Sequence, residues 1–414
     1  MIKASLVAPV AAPSPPSARA GRYIRQPAGH RAFVPALLPP TPAIRLDGEL
    51  QTLLSDADRA LGRLDGSIQT LPNPDLFVPM YVRKEAVLSS QIEGTQSSLQ
   101  DLLAAEADLF GGHHEPRDVD EVVNYVDAMN HGLAHLPDLP VSIRLICEIH
   151  ARLLRGVRGA HRTPGELRRS QNWIGPAGCT LAQATFVPPP PDQVPDALGQ
   201  LEQFLHEANS LPLLIRIGLA HAQFETIHPF LDGNGRVGRL LITFLLCKKH
   251  VLQKPVLYLS HWFKQHRQTY YDRLQSVRDN GDWEAWLAFF LRGVATVSEQ
   301  ATETARRILA LREQHRTIIT DHFGRAAANG HRVLESLYRR PIVSVKQVRE
   351  MTRTTSPAAN DLVRRFVDQH ILVEITGYAR NRRYRYEDYV RLFTEGTEAS
   401  RGAHAEINQA QRES

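Results

Sequence analysis

The chain reads as mainly α, a helical bundle followed by a winged-helix domain. Three observations carry that reading. Apolar residues recur at helical spacing through most of residues 46 to 320. Only residues 169–194 break that pattern, with Gly, Pro, Thr and aromatics in place of periodic helix. The chain then changes period after about residue 325, giving three short helices followed by a basic β pair, which is winged-helix order.

Residues 1–45 are rich in Pro and Ala ("SLVAPVAAPSPPSARA", "ALLPPTP") and read as a disordered tail, because the prolines interrupt what would otherwise be an apolar leader. Residues 46–135 are a helical region. Its first helix, "ELQTLLSDADRALGRLDG", is expected to end at Gly66. A second helix, about 78–94, closes on "SSQIEGTQ", where Gly94 is a natural stop. Glu93 stands out there, since a carboxylate in a last turn faces the negative end of the helix dipole. A third helix opens on a Ser97/Gln100 capping box and stops at Gly111 and Gly112. Residues 136–300 are a helical core interrupted by a hairpin, 172–190, with "NWIG" and "TFV" as arms. The prolines at 188–191 then carry the chain away extended. A linker helix (301–325), a winged-helix domain (326–393) and a loose polar tail (394–414) complete the chain.

Composition narrows the function classes. Hydrophobic content of 43% and charged content of 22% are ordinary for a soluble globular protein. No apolar run approaches the roughly 18 residues of a membrane helix, so no membrane partner is expected. Cys147, Cys179 and Cys247 are scattered, which fits neither a disulfide framework nor a metal pattern and implies a reducing, cytoplasmic setting. A net charge of +5 permits a nucleic-acid partner without demanding one.

The chemistry concentrates in "HPFLDGNGRVGR", His228 to Arg239. A helix ends before Pro229, and a second starts near Gly235 or Arg236. The turn between them is therefore a glycine-rich helix N-terminus, where free backbone N–H groups and the dipole favour an anion. Arg236 and Arg239 share one face of the second helix, and arginine grips phosphate bidentately. Asp232 is a hard oxygen ligand suited to Mg²⁺. His228 is a candidate proton acceptor.

This motif resembles the signature of the Fic (filamentation induced by cAMP) family. "SSQIEGTQ", "SQNWIG", "TFVPPPP", "YYDRL" and "NGDW" extend the resemblance over about residues 30–390. The resemblance implies a Fic-type helical bundle with a β-hairpin flap, and AMPylation: transfer of AMP from ATP to a Ser, Thr or Tyr hydroxyl of a target protein or of the chain itself. It implies His228 as general base and Asp232 as the Mg²⁺ ligand. Gly233, Asn234 and Gly235 would be the anion cradle, Arg236 and Arg239 the β/γ-phosphate ligands, and Phe230 a core anchor. Thr185, Phe186 and Val187 would be the flap residues that dock the target. Tyr270 or Tyr271 would stack on adenine, and Gln223 would reach the nucleotide. "SSQIEG" matches the family's inhibitory helix, with Ser89, Glu93 and Gly94 in its pattern positions and Glu93 paired to Arg239. The resemblance also admits a homodimer, AMP removal, or transfer of another nucleotide or of phosphate.

A second class of function comes from the distal module. "SPAANDLVRRFVDQHIL" supplies Arg364 and Arg365 on a recognition-type helix, and "YARNRRYRY" supplies Arg382 and Arg383 on a wing. These arginines, interleaved with tyrosines, suit DNA contact, the other reading of the module being protein binding or dimerisation. The corresponding alternative is a DNA-binding regulator whose Fic site senses nucleotide.

Overall fold

The computed structural model describes residues 19–71, 73–109, 118–176, 178–208, 210–394 and 397. Near the start, β1 (Gly21–Arg25) and β2 (Arg31–Pro35) pair antiparallel, with Gly21 opposite Pro35. This corrects the expectation of an irregular segment through residue 45. Phe33 is fully buried, and the Phe33 and Tyr23 rings pack edge to face, so the hairpin carries a small core of its own.

Eleven helices follow: α1 (Gly48–Gln69), α2 (Pro74–Ile92), α3 (Leu99–Glu106), α4 (Val119–His135), α5 (Ile143–Leu153), α6 (Val194–His206), α7 (Leu213–Ile227), α8 (Asn234–Lys248), α9 (Ser260–Gln265), α10 (Arg267–Asn280) and α11 (Trp283–His322). The Asp47 side chain caps α1 by accepting from the Leu50 N–H at 3.0 Å. This helix runs three residues past Gly66, because that glycine takes ordinary helical geometry there. The capping box of α3 is Ser98 with Asp101, one residue later than expected, since the Asp101 carboxylate returns to the Ser98 N–H at 2.7 Å. The expected stop at Gly111–Gly112 lies outside the described residues, as does most of the expected tail.

Helices α7 and α8 sit at the centre, buried on nearly every face. Each fully buried Leu, Ile or Phe side chain they carry contributes roughly 1.5–3 kcal/mol. Beyond α11 come α12 (Ala327–Arg339), β3 (Ile342–Ser344), α13 (Val345–Thr352), α14 (Ser356–Asp368), β4 (Val373–Glu374), β5 (Arg383–Arg385) and α15 (Glu387–Thr394). The three strands form an antiparallel sheet of order β3-β5-β4. Neither β3 nor α15 was evident in the sequence, because each spans only three to eight residues.

Helix α2 is packed from both sides. Its Phe77 ring meets Tyr338 of α12 at 4.8 Å, and its Tyr81 ring meets Phe393 of α15 at 5.1 Å. The Tyr81 hydroxyl donates to the Ala301 carbonyl of α11 at 3.1 Å. Such burial fixes the end of α2, which carries Ser89 and leads into Glu93.

Candidate functional site

The chain leaves α7 through His228, whose backbone is left-handed (φ 49°), and enters α8 through Gly233 (φ 78°). Glycine adopts that second conformation without steric cost. The turn between them is clamped by side-chain amides. Asn234 Oδ1 accepts from the Phe230 N–H at 2.9 Å, and its Nδ2 donates to the Phe230 carbonyl at 2.8 Å. Asn172 donates to the same carbonyl at 2.8 Å and to that of His228 at 3.2 Å. Buried Arg168 donates to the carbonyls of His228 (2.9 Å) and Pro189 (2.6 Å). The Phe230 ring is buried and stacks on His150 at 3.8 Å. Asn234 thus shapes the cradle with its side chain. Nothing in the sequence pattern marks Arg168 or His150, and Asn172 is marked only by lying within "SQNWIG".

His228 is partly buried, and its pKa is pushed down to about 3, mainly by burial and further by the nearby Arg278 and Arg168 charges. A neutral imidazole can accept a proton. Asp232 keeps about a third of its side chain exposed at the mouth of the turn. Its Oδ1 accepts from the Gly233 N–H at 2.6 Å. Among the described residues, no group of three or more His, Cys, Asp or Glu side chains is arranged to hold a metal. Asp232 offers one partly exposed carboxylate, which would suit a divalent ion whose shell phosphate oxygens and water complete.

Arg239 is buried and donates through Nη2 to Glu93 Oε1 at 2.7 Å and to the Ser89 carbonyl at 3.0 Å, and through Nε to the Ser89 hydroxyl at 2.8 Å. Burial is the largest influence on the Arg239 pKa and lowers it, but Glu93 together with Tyr270, Tyr125 and Glu225 outweighs burial and leaves the value raised. Burial likewise works against the Glu93 carboxylate, while Arg239 and then Arg236 hold its pKa below the usual range. A Cβ on Gly235 would collide with the Glu93 carboxylate, so that glycine leaves the room Glu93 occupies beside the start of α8. Gly94, just beyond, is left-handed (φ 98°) and lets the chain turn away.

Arg236 is engaged too, by Glu121 of α4 at 3.1 Å, with Asp232 at 3.6 Å. Glu121 was not anticipated; in "DVDEVV" it reads as an ordinary acid in a helix's first turn. Arg239 lies in the second turn of α8, so its proximity to a carboxylate is a tertiary effect.

Other expected site residues fall differently. Tyr270 is buried in the core, with its hydroxyl 2.9 Å from His221 Nε2. It is therefore not a surface on which adenine could stack, and the neighbouring exposed ring is Tyr271. Gln223 donates to the Ala36 carbonyl at 2.8 Å, which ties α7 to the N-terminal hairpin. In the flap, Ile174 and Phe186 form one antiparallel bridge (2.8 and 3.0 Å). The Phe186 ring turns inward against Phe33 and beneath Arg278, and the Val187 carbonyl accepts from the Phe33 N–H at 2.9 Å. Of the three expected docking residues, Thr185 alone is exposed. Arg364 and Arg365 both pair with Asp361, whereas Arg382 and Arg383 line a groove of about 1270 Å³.

A helical bundle whose central helix pair is joined by a histidine-led glycine turn, faced by an acid from a preceding helix, defines a Fic-class fold. Comparison agrees: residues 51–134 match the Fic/DOC family N-terminal region and residues 140–246 match the Fic/DOC family. It is 31% identical over 214 residues to a "Protein adenylyltransferase Fic" of Aedes aegypti and 30% identical over 211 residues to one of Culex quinquefasciatus. Each alignment covers 50% of this chain and 37% of the relative, so the chain spans just over a third of those relatives' length. The fold is similar to that of a Fic family protein from Desulfovibrio desulfuricans G20, with a TM-score of 0.52 at 20% identity, covering 83% of this chain and 97% of that one.

Proposed function

We propose that this protein is a protein adenylyltransferase restrained by Glu93. The observation that carries the proposal is the Glu93–Arg239 pair at 2.7 Å beside the N-terminus of α8. A carboxylate sits where the dipole and the arginine would otherwise receive a phosphate. In the reaction, the target hydroxyl oxygen bonds to the α-phosphorus of ATP. The bond from that phosphorus to the bridging oxygen breaks, and pyrophosphate leaves. His228 takes the hydroxyl proton, and the negative charge of bound ATP would raise its basicity from the depressed value. Asp232 would hold Mg²⁺, which neutralises phosphate charge when bound. Arg239, once released, would balance charge on the terminal phosphates. With Arg239 held by Glu93, ATP lacks that anchor and its α-phosphorus is poorly placed for in-line attack.

The test is incorporation of labelled AMP by wild type, Glu93→Gly and Glu93→Gly/His228→Ala. A rise in the single variant that is lost in the double one supports both assignments. Signal persisting without His228 would remove it as the base. Release of AMP from a modified protein, rather than its transfer, would favour the removal reading of the same site.

A second reading applies to the segment from α12 to β5, which we take as a winged-helix module. The groove between α13, α14 and the β4–β5 turn is lined by Lys346, Arg349, Arg380, Arg382 and Arg383. Five cations in one groove favour a polyanionic duplex such as DNA. Binding of a labelled duplex that weakens steeply between about 50 and 200 mM salt, and weakens further in Arg380→Ala/Arg382→Ala, supports this. Absence of binding at low salt ends it.

A further inference from the structure

Both arginines of the glycine-turn motif are held by acids from the preceding helical region, and the second acid has a wider reach than the first. Glu121, in the first turn of α4, is buried, and its Oε2 faces three donors. These are Arg236 Nη1 at 3.1 Å, Arg158 Nη2 at 3.3 Å and the Thr95 hydroxyl at 3.5 Å. The same Arg158 nitrogen reaches the backbone carbonyl of Glu93 at 3.4 Å. One helical turn earlier on the chain, the Asp118 carboxylate accepts from the Gln96 N–H and, at 2.6 Å, from the Ser97 hydroxyl. The start of α4 therefore grips residues 95, 96 and 97 directly and reaches the Glu93 carbonyl through Arg158, so it holds the turn on which the Glu93 side chain is mounted.

We infer that Glu121 is a positioning residue that serves the site in two ways: it fixes Arg236 for phosphate binding and it locks the Glu93 turn in its restraining position. The first role follows from burial. Arg236 is 1% exposed and Glu121 about 4%. Withdrawing one partner of such a pair leaves an uncompensated buried charge, which strongly disfavours separation. Arg236 therefore works from a fixed place, and its Nε, buried without a partner, shows how far that placement is set by Glu121 rather than by the guanidinium's own needs. The second role follows from connectivity. Thr95 and Arg158 join Glu121 to both sides of the Glu93–Gly94 turn, so an unclamped turn would let the Glu93 carboxylate drift from Arg239. This second role rests on the restraining function proposed for Glu93.

The two roles predict effects of opposite sign in two backgrounds. In the wild-type background, Glu121→Gln should raise AMP incorporation by about three- to tenfold, because the turn loosens. In the Glu93→Gly background, where nothing remains to release, the same change should raise KM for ATP with little change in kcat, because Arg236 is no longer held. A merely structural residue would lower activity in both. Arg158→Ala isolates the second role. Its side chain is half exposed and can be removed without opening the core, and it should raise wild-type incorporation about twofold or more. If Glu121→Gln melts well below wild type, Arg158→Ala decides the matter. Wild-type-level incorporation by both variants, beside an activated Glu93→Gly, overturns the inference while leaving the Glu93 reading intact. A Glu93→Gly protein no more active than wild type overturns the locking role together with the reading beneath it, and the KM measurement then stands alone against the first role.

Discussion

Arg239 makes three hydrogen bonds to one helix end, and two of them go to Ser89 rather than to Glu93: Nε to the hydroxyl at 2.8 Å and Nη2 to the carbonyl at 3.0 Å. The arginine is thus seated by α2 before the carboxylate is counted. Ser89→Ala removes the hydroxyl acceptor, and hydrogen bonds to charged groups contribute about 1.5–3 kcal/mol. Ser89→Ala should raise labelled-AMP incorporation, by less than Glu93→Gly does. An effect equal to that of Glu93→Gly would make Ser89, not Glu93, the principal restraint.

Asn234 ties the Phe230 backbone from both sides. Asn234→Ala leaves a buried N–H and a buried carbonyl with fewer partners, at about 1–3 kcal/mol. In the Glu93→Gly background it should reduce kcat/KM by about tenfold or more while the melting temperature falls by only a few degrees. An unchanged rate would show that the turn holds its shape without this clamp.

The depressed basicity of His228 has a pH signature. With a pKa of about 3 in the free protein, the imidazole stays neutral well below the ordinary histidine range of about 6.5. In Glu93→Gly, kcat/KM should therefore hold nearly level from about pH 7.5 to about pH 6, since that quantity reports the free enzyme. A halving near pH 6.5 would indicate a solvent-exposed, unperturbed base.

Stability should depend on pH through four other buried groups. Burial lowers His150 to about 4 and His221 to about 3. As pH falls below about 6.5 the unfolded chain takes up these protons first, so their contribution is lost on the acid side. Burial raises Glu85 and Glu225 to about 7. Their contribution is present below about pH 4.5 and is lost as pH rises toward 7. His228, also lowered, acts with the two histidines, so three histidines oppose two glutamates between about pH 4.5 and 6.5. Melting temperature should peak near pH 6.5 and fall on the acid side, and Glu225→Gln should flatten any decline above about pH 6.5. A steady rise from pH 5 to 8 would contradict this.

Much of the site was legible because its residues lie in one twelve-residue run, and a glycine turn between two periodic helices can be read locally. Glu93 was legible for a related reason: an acid followed by glycine at a helix end is locally unfavourable and invites a partner. Glu121 offered no such signal, since an acid in a first helical turn is locally satisfied and only tertiary packing brings it to Arg236. Tyr270 misled in the opposite way. An adjacent tyrosine pair on a helix does not say which ring faces inward, and His221 decides that from 49 residues away. The N-terminal hairpin was hidden by flanking prolines, although "GRYIR" and "RAFVP" are short strands that need Phe186 to complete their core.

The most direct test of the central claim is intact-protein mass measurement of wild type and Glu93→Gly, each incubated with Mg²⁺ and ATP. The Glu93–Arg239 restraint predicts AMP adducts on Glu93→Gly, little on wild type, and none on Glu93→Gly/His228→Ala. Equal modification of wild type and Glu93→Gly would contradict it.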